Sequence, residues 1–121
     1  MDKLNETIEA YFAMWNEHDE KRRAELIERA WADGAHYVDP KLEAAGPEAI
    51  SKMVAQVHTA YPGHRFRRLS GVDRHHDLVR FAWDLADEKG VALVAGVDVA
   101  ELAADGRLRR VAGFFGELPA R

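Results

Sequence analysis

VALVAGVDVAELAADGRLRRVAGFFG, residues Val91 to Gly116, reads as a long β-hairpin, two alternating apolar runs joined by Ala104, Asp105 and Gly106. Asp-Gly tolerates the positive φ angles of a tight hairpin turn, so the assignment has a mechanism behind it. One acid interrupts the first run. Asp98 stands between Val97 and Val99, and the period of two along a strand puts it on the face of Val94, Gly96, Ala100 and Leu102. A carboxyl among such neighbours is poorly solvated, and its pKa is pushed up unless a cation compensates. Gly96 and Ala100 are small and leave space beside it. The other face carries Val91, Leu93, Val97 and Val99, an apolar row that predicts burial against a second copy of the chain, a homodimer.

The chain as a whole fits one domain over residues 1–121, long enough to bury a core and too short for two. Hydrophobic residues make up 47% and charged residues 31%, a globular composition, and the net charge of −4 offers nothing to nucleic acid. There is no cysteine, which excludes disulfides, thiol catalysis and thiolate metal sites. The N-terminal MDKLNETIEA has neither the basic segment nor the apolar run of a signal peptide, and no stretch approaches the roughly 18 apolar residues of a membrane span. The expectation is a cytoplasmic protein with no membrane or nucleic-acid partner.

Upstream of the hairpin the period changes. Leu4, Ile8, Tyr11, Phe12 and Trp15 recur at helical spacing opposite Glu6, Glu9 and Glu17. Asp19 is placed to cap a second helix, Glu20 to Ala30, with Ala24, Ile27, Ala30 and Trp31 as its inward face and Ala32 to Gly34 as its end. Ala35 to Val38 reads as a short extended run that stops at Asp39-Pro40, because the residue before a proline is driven from the helical region. A third helix starts at Pro47, where the missing N–H would have had no partner. Its stripe is Ile50, Met53, Val54, Val57 and Tyr61, and Pro62-Gly63 stops it.

From His64 the period is two, and turns at Asp73 to Asp77, Asp87 to Gly90 and Ala104 to Gly106 divide the remainder into four strands. Val79, Phe81, Trp83 and Leu85 share one face of the second of these. Three helices ahead of an antiparallel meander predict an α+β domain with the helices on one face of the sheet. Gly71, Gly96 and Gly113 permit strong curvature, and the concave face with the helices then encloses a cone-shaped cavity.

With these elements in this order, and with AYFAMWNEHD (Ala10 to Asp19), HYVDP (His36 to Pro40), GPEAI (Gly46 to Ile50) and GVDVAELAADGRLRRVAGFFGEL (Gly96 to Leu118), the chain resembles the NTF2-like superfamily. Within it the SnoaL-like polyketide cyclases and the ketosteroid isomerases look nearest. The resemblance implies a cone-shaped NTF2-like fold, three N-terminal helices packed on a strongly curved, mainly antiparallel sheet, with no cofactor. In the isomerases a helix tyrosine and a strand aspartic acid, kept protonated, donate to a dienolate oxygen, while the aspartate of an Asp-Pro sequence moves the proton between carbons. The matching positions here are Tyr11, Asp98 and Asp39. The chain departs in a shorter loop after Pro40 and in Val54, where some isomerases carry a supporting tyrosine. Both departures speak against steroid-sized substrates.

The residues support such chemistry on their own terms. Abstracting a proton beside a carbonyl needs a base within reach of the carbon and neutral donors aimed at the oxygen that becomes charged. Two acids in differently polar surroundings divide those roles. Each residue also has a structural reading: Asp39 caps a turn, Tyr11 is a core aromatic, and Asp98 is tied to an arginine. Trp15, His58, Phe66, Trp83, Val94, Gly96 and Phe115 are the candidate ligand contacts, whose aromatic walls favour a flat, small, apolar ligand.

No histidine pair is spaced for metal on one helical face, so no metal is expected; His75 and His76 adjoin in a strand or turn and are expected to point apart, and His58 or His36 is an alternative acid or base. The superfamily's epoxide hydrolases carry Arg two residues before an Asp. Gly96 and Ala82 hold those places before Asp98 and Asp84, which disfavours that reaction. Two function classes stay open: an isomerase or cyclase of a small apolar carbonyl compound, and a non-catalytic ligand-binding or protein-interaction module.

Overall fold

The computed structural model describes residues 2–121. Helix α1 (Lys3–Asn16) starts where the Asp2 carboxylate accepts the Asn5 amide, and α2 (Glu20–Ala30) where Asp19 accepts that of Arg22. Each cap satisfies an N–H that the first helical turn leaves without a partner. Helix α3 (Pro47–Ala60) starts with proline in its first turn after Gly46 at φ +84°. The strands are β1 (Trp31–Val38), β2 (Glu43–Ala45), β3 (Arg65–Arg68), β4 (Asp73–His75), β5 (Leu78–Ala86), β6 (Ala92–Leu102) and β7 (Leu108–Phe115).

They form one curved, unclosed sheet in the order β2-β1-β7-β6-β5-β3, with β4 paired to β5. Ile8, Tyr11, Met14 and Trp15 of α1 and Ile50, Met53, Val54 and Val57 of α3 pack in one core with Val79, Phe81, Ala100 and Val111 of the sheet. The hairpin β6–β7 lies mid-sheet and sets Asp98 opposite Gly113 on one side and Phe81 on the other. The α+β cone with three helices packed on a curved sheet is thus the observed architecture, although the helices do not all precede the strands: β1 and β2 come between α2 and α3.

Several local expectations change. Trp31 opens β1 instead of closing α2, because it pairs with Leu108 and its indole N–H points at Met14 Sδ, 3.2 Å away. Gly34, expected to end a helix, sits at φ +69° where the β1–β7 register shifts, a bulge that bends the strand. β1 runs parallel to β7, so the sheet is mixed and not a pure meander. The segment after Pro40 supplies an edge strand, β2, that its length concealed.

Asp73 to His75 is a strand and not a turn, since it hydrogen-bonds to β5; the reversal is tighter, at His76 with φ +53°, and the strands after α3 number five. His75 and His76 do not point apart: that turn brings their Nδ1 atoms to 3.0 Å at the surface.

The outer face of the sheet exposes Val97, Val99 and Phe114. Asp84 is buried on that face, and Arg67 of β3 grips both its oxygens at 2.8 and 2.7 Å. Leu93 leaves the outer row. A register shift between Leu85 and Ala86 turns it to the cavity rim beside Val94. No described helix is long and apolar enough to cross a membrane.

Candidate active site

A cavity of about 330 Å³ opens at the wide end of the cone. Tyr37, Trp15, Phe66, Trp83 and Phe115 form a continuous aromatic wall, each ring centroid 4.9 to 5.7 Å from the next in edge or tilted contact. Val57 of α3 and Tyr61 just past its end, with Leu42, Leu85, Leu93 and Val94, complete the apolar lining, and Asp39 and Lys41 bring the charge. A volume of that size takes a small organic ligand, and flat walls favour a flat one. A larger groove of about 730 Å³ lies between α1 and α2, but it is edged by Lys3, Glu6, Glu9, Glu28, Arg29 and Arg107 and is a solvated charged surface.

Asp39 reaches the cavity because β1 alternates. Tyr37 and Asp39, two apart, face the same way, and the Tyr37 hydroxyl donates to Asp39 Oδ2 at 2.7 Å. The chain then turns at Pro40, so that the Lys41 and Leu42 amides both donate to Asp39 Oδ1 at 2.8 Å. The turn-capping reading is therefore correct and compatible with a cavity role: three donors fix one carboxylate in the wall. Burial, the charge of Asp98 and the bond to Asp39 hold the Tyr37 hydroxyl well above the usual phenol range, so Tyr37 stays a donor.

Asp98 is only 3% exposed and has no arginine partner among the described residues. Tyr11 Oη donates to its Oδ2 at 2.7 Å and Trp83 Nε1 to its Oδ1 at 2.9 Å. Burial pushes the carboxyl up to about 7, with a further push from Asp39, although the two donors work in the opposite direction. Burial, and then Asp98, also raise Tyr11 well above the usual range. Gly113 lies between the two acids: a Cβ built there would lie 3.0 Å from Asp98 Oδ1, 3.2 Å from Asp39 Cβ and 3.3 Å from Tyr37 Oη. A glycine is thus what leaves room for the Asp98 carboxyl, the Asp39 side chain and the Tyr37 hydroxyl to pack around one position.

Of the candidate residues, Asp39, Trp15, Phe66, Trp83, Val94 and Phe115 line the cavity. Tyr11 and Asp98 stand behind its surface, covered by Tyr37 and Trp83, and Gly96 lies under the Trp83 ring. His58 is turned away: its Nε2 meets the Trp15 carbonyl at 2.7 Å, its ring stacks on His18 at 4.0 Å, and burial lowers its pKa. His36 pairs with Glu43 in the β1–β2 ladder. Tyr37 is the residue that sequence reading passed over, although its spacing from Asp39 was the signal; Val57 and Tyr61, four apart at the end of α3, offered the same kind of clue. Among the described residues no three His, Asp or Glu side chains gather as metal ligands.

The SnoaL-like domain matches residues 8–111 of the chain. Among solved structures, the chain is similar to a candidate isomerase of the SnoaL-like family from Agrobacterium tumefaciens, at 34% identity over 97% of this chain and 100% of that one, with a TM-score of 0.88. It is also similar to an NTF2-like protein of unknown function from Exiguobacterium, at 25% identity over 93% and 99%, with a TM-score of 0.69. A candidate polyketide cyclase from Sinorhizobium meliloti shares the fold, with a TM-score of 0.70 at 16% identity over 93% and 99%. No curated protein matches. With the family's domain spanning most of its length and a relative aligned from end to end, the chain belongs to the SnoaL-like family of the NTF2-like superfamily.

Proposed function

We propose that the protein performs acid/base isomerisation or cyclisation of a small, flat, apolar carbonyl compound. Asp39 takes the proton from the carbon beside the carbonyl, and Tyr37 holds it in line. Neutral Asp98 donates to Tyr11, and the Tyr11 hydroxyl, released from the carboxyl, donates toward the oxygen on which negative charge develops. One observation carries this reading: two acids flank Gly113 in opposite surroundings, Asp39 in the cavity wall under three donors and Asp98 in the apolar interior. Environments that push two acids apart are how one fold runs both halves of such chemistry. The names of the Agrobacterium and Sinorhizobium proteins, a candidate isomerase and a candidate polyketide cyclase, agree with the reaction class.

The test is a screen of enolisable ketones with the wild type, Asp39→Asn and Asp98→Asn, beside binding of 2-naphthol as a flat phenol. Turnover that both substitutions abolish, with phenol binding kept in Asp39→Asn, is the expected result. The second reading, a non-catalytic binding module, draws on the position of Tyr11 and Asp98 one side chain behind the cavity, each serving as the other's partner. Phenol binding with no ketone turned over would favour it.

The proposal includes a homodimer. Val97, Val99 and Phe114 lie together on the outer face, with Arg80, Arg110 and Glu101 of both signs around them, so a twofold-related copy meets no field of a single sign.

A further inference from the structure

We propose that Trp83, seated on Gly96, is the positioning residue that confines the proton of neutral Asp98 to Oδ2, in the bond shared with Tyr11. This rests on reading Asp98 as the buried acid, but its test needs no turnover. The β5–β6 register sets Trp83 opposite Gly96 and Phe81 opposite Asp98. A Cβ on Gly96 would lie 2.7 Å from Cζ2 and 3.1 Å from Cε2 of the indole, so the ring lies directly on the glycine. Close approach is what requires glycine there. Phe66 at 5.7 Å and Phe115 at 5.6 Å brace the indole edge-on. From that seat Nε1 reaches Asp98 Oδ1 at 2.9 Å.

An indole N–H donates and never accepts. Oδ1 is therefore held as an acceptor, whereas the Tyr11 hydroxyl, which donates to Oδ2 of the carboxylate, can turn to accept, so a proton on the acid is left with Oδ2, 2.7 Å from Tyr11 Oη. Among the described residues Trp83 is the one side chain that both lines the cavity and hydrogen-bonds Asp98. The wall that a ligand touches is thus the group that orients the acid. The titratable groups around Asp98 are Tyr11 from α1, Tyr37 from β1 and Asp39 just past its end; none is a cation that could take over the role of the indole.

The experiment is a carboxyl-carbon NMR titration of Asp98, assigned with Asp98→Asn, together with indole N–H spectra, in the wild type, Trp83→Phe, Gly96→Ala and the double variant. In the wild type the Trp83 indole resonance should titrate with the Asp98 midpoint. Trp83→Phe keeps an aromatic wall but removes a donor to the charged form, and should raise that midpoint by about one pH unit or more. Gly96→Ala keeps the indole but unseats it and should produce a comparable rise, and the double variant should add nothing to Trp83→Phe.

An unmoved midpoint in Trp83→Phe, or an indole resonance indifferent to Asp98, overturns the proposal; an unmoved midpoint in folded Gly96→Ala overturns the role of the seat. Because the new methyl would also meet the Phe114 carbonyl, Gly96→Ala is at risk of not folding. Trp83→Phe and the indole titration then decide alone. A protein with no turnover on any ketone would defeat the proposed reaction and leave these readings as they stand.

Discussion

Replacing Asp98 by asparagine should stabilise the protein at neutral and alkaline pH. The folded carboxyl titrates near 7 instead of at an ordinary 3.8, because burial disfavours its charge. The folded state therefore holds this proton more tightly than the unfolded chain does. Below the unfolded value both forms are protonated and nothing is lost; between 3.8 and about 7 stability falls as pH rises; above about 7 the whole penalty is present. A displacement of about three pH units at about 1.4 kcal/mol each amounts to about 4 kcal/mol.

Asparagine has the same shape, accepts from Trp83 through its oxygen and donates to Tyr11 Oη through its amide, and carries no charge to penalise. The gain of Asp98→Asn over the wild type should thus be small near pH 4 and grow to about 4 kcal/mol by pH 8 to 9, on the order of 10 °C in Tm for a chain of this size. The assay is thermal unfolding followed by circular dichroism for both proteins from pH 4 to 9. The other carboxyls contribute to both curves, so the difference isolates this one. A difference independent of pH, or an asparagine variant less stable at pH 9, would refute the reasoning and mean that water or a cation solvates Asp98. Stability gained with turnover lost is the signature of an acid retained for function.

Three further outcomes are expected. Asp39→Asn should lower kcat on an identified ketone by at least 100-fold with the affinity for 2-naphthol changed only a few-fold, since a base that contacts substrate contributes chiefly to the chemical step; an equal loss in kcat and binding would make Asp39 a binding group. Arg67→Ala should lower the urea midpoint at pH 7, because it strips buried Asp84 of its partner. Arg67 holds the Asp84 carboxyl below its usual range, so the loss should be full above about pH 4 and shrink as acid protonates Asp84, which urea titrations at pH 7 and pH 3 compare. Phe114→Glu with Val97→Glu should convert a dimer to a folded monomer in sedimentation velocity, and an unchanged sedimentation coefficient would place the contact elsewhere.

Periodicity located the elements wherever one face met the core and the other met water. The helical stripes of α1 and α3, the caps at Asp19 and Pro47 and the β6–β7 hairpin with buried Asp98 were all legible on that ground. Trp31, Gly34 and Asp73 to His75 were misread because their conformation is decided by a distant strand: Trp31 by Leu108 of β7, and Asp73 by Arg80 of β5. Local propensity does not register such partners.

The candidate site divides along the same line. That Asp98 is buried and Asp39 follows a strand end could be read residue by residue, from alternation and from the Asp-Pro step. That Tyr37 and Trp83 stand between cavity and acid, that Gly113 lies between Asp39 and Asp98, and that His58 faces away were decided by the curvature of the sheet and by the register between β5, β6 and β7. A period of two says which face of its strand a side chain takes. Only the folded sheet says which other side chain is already there.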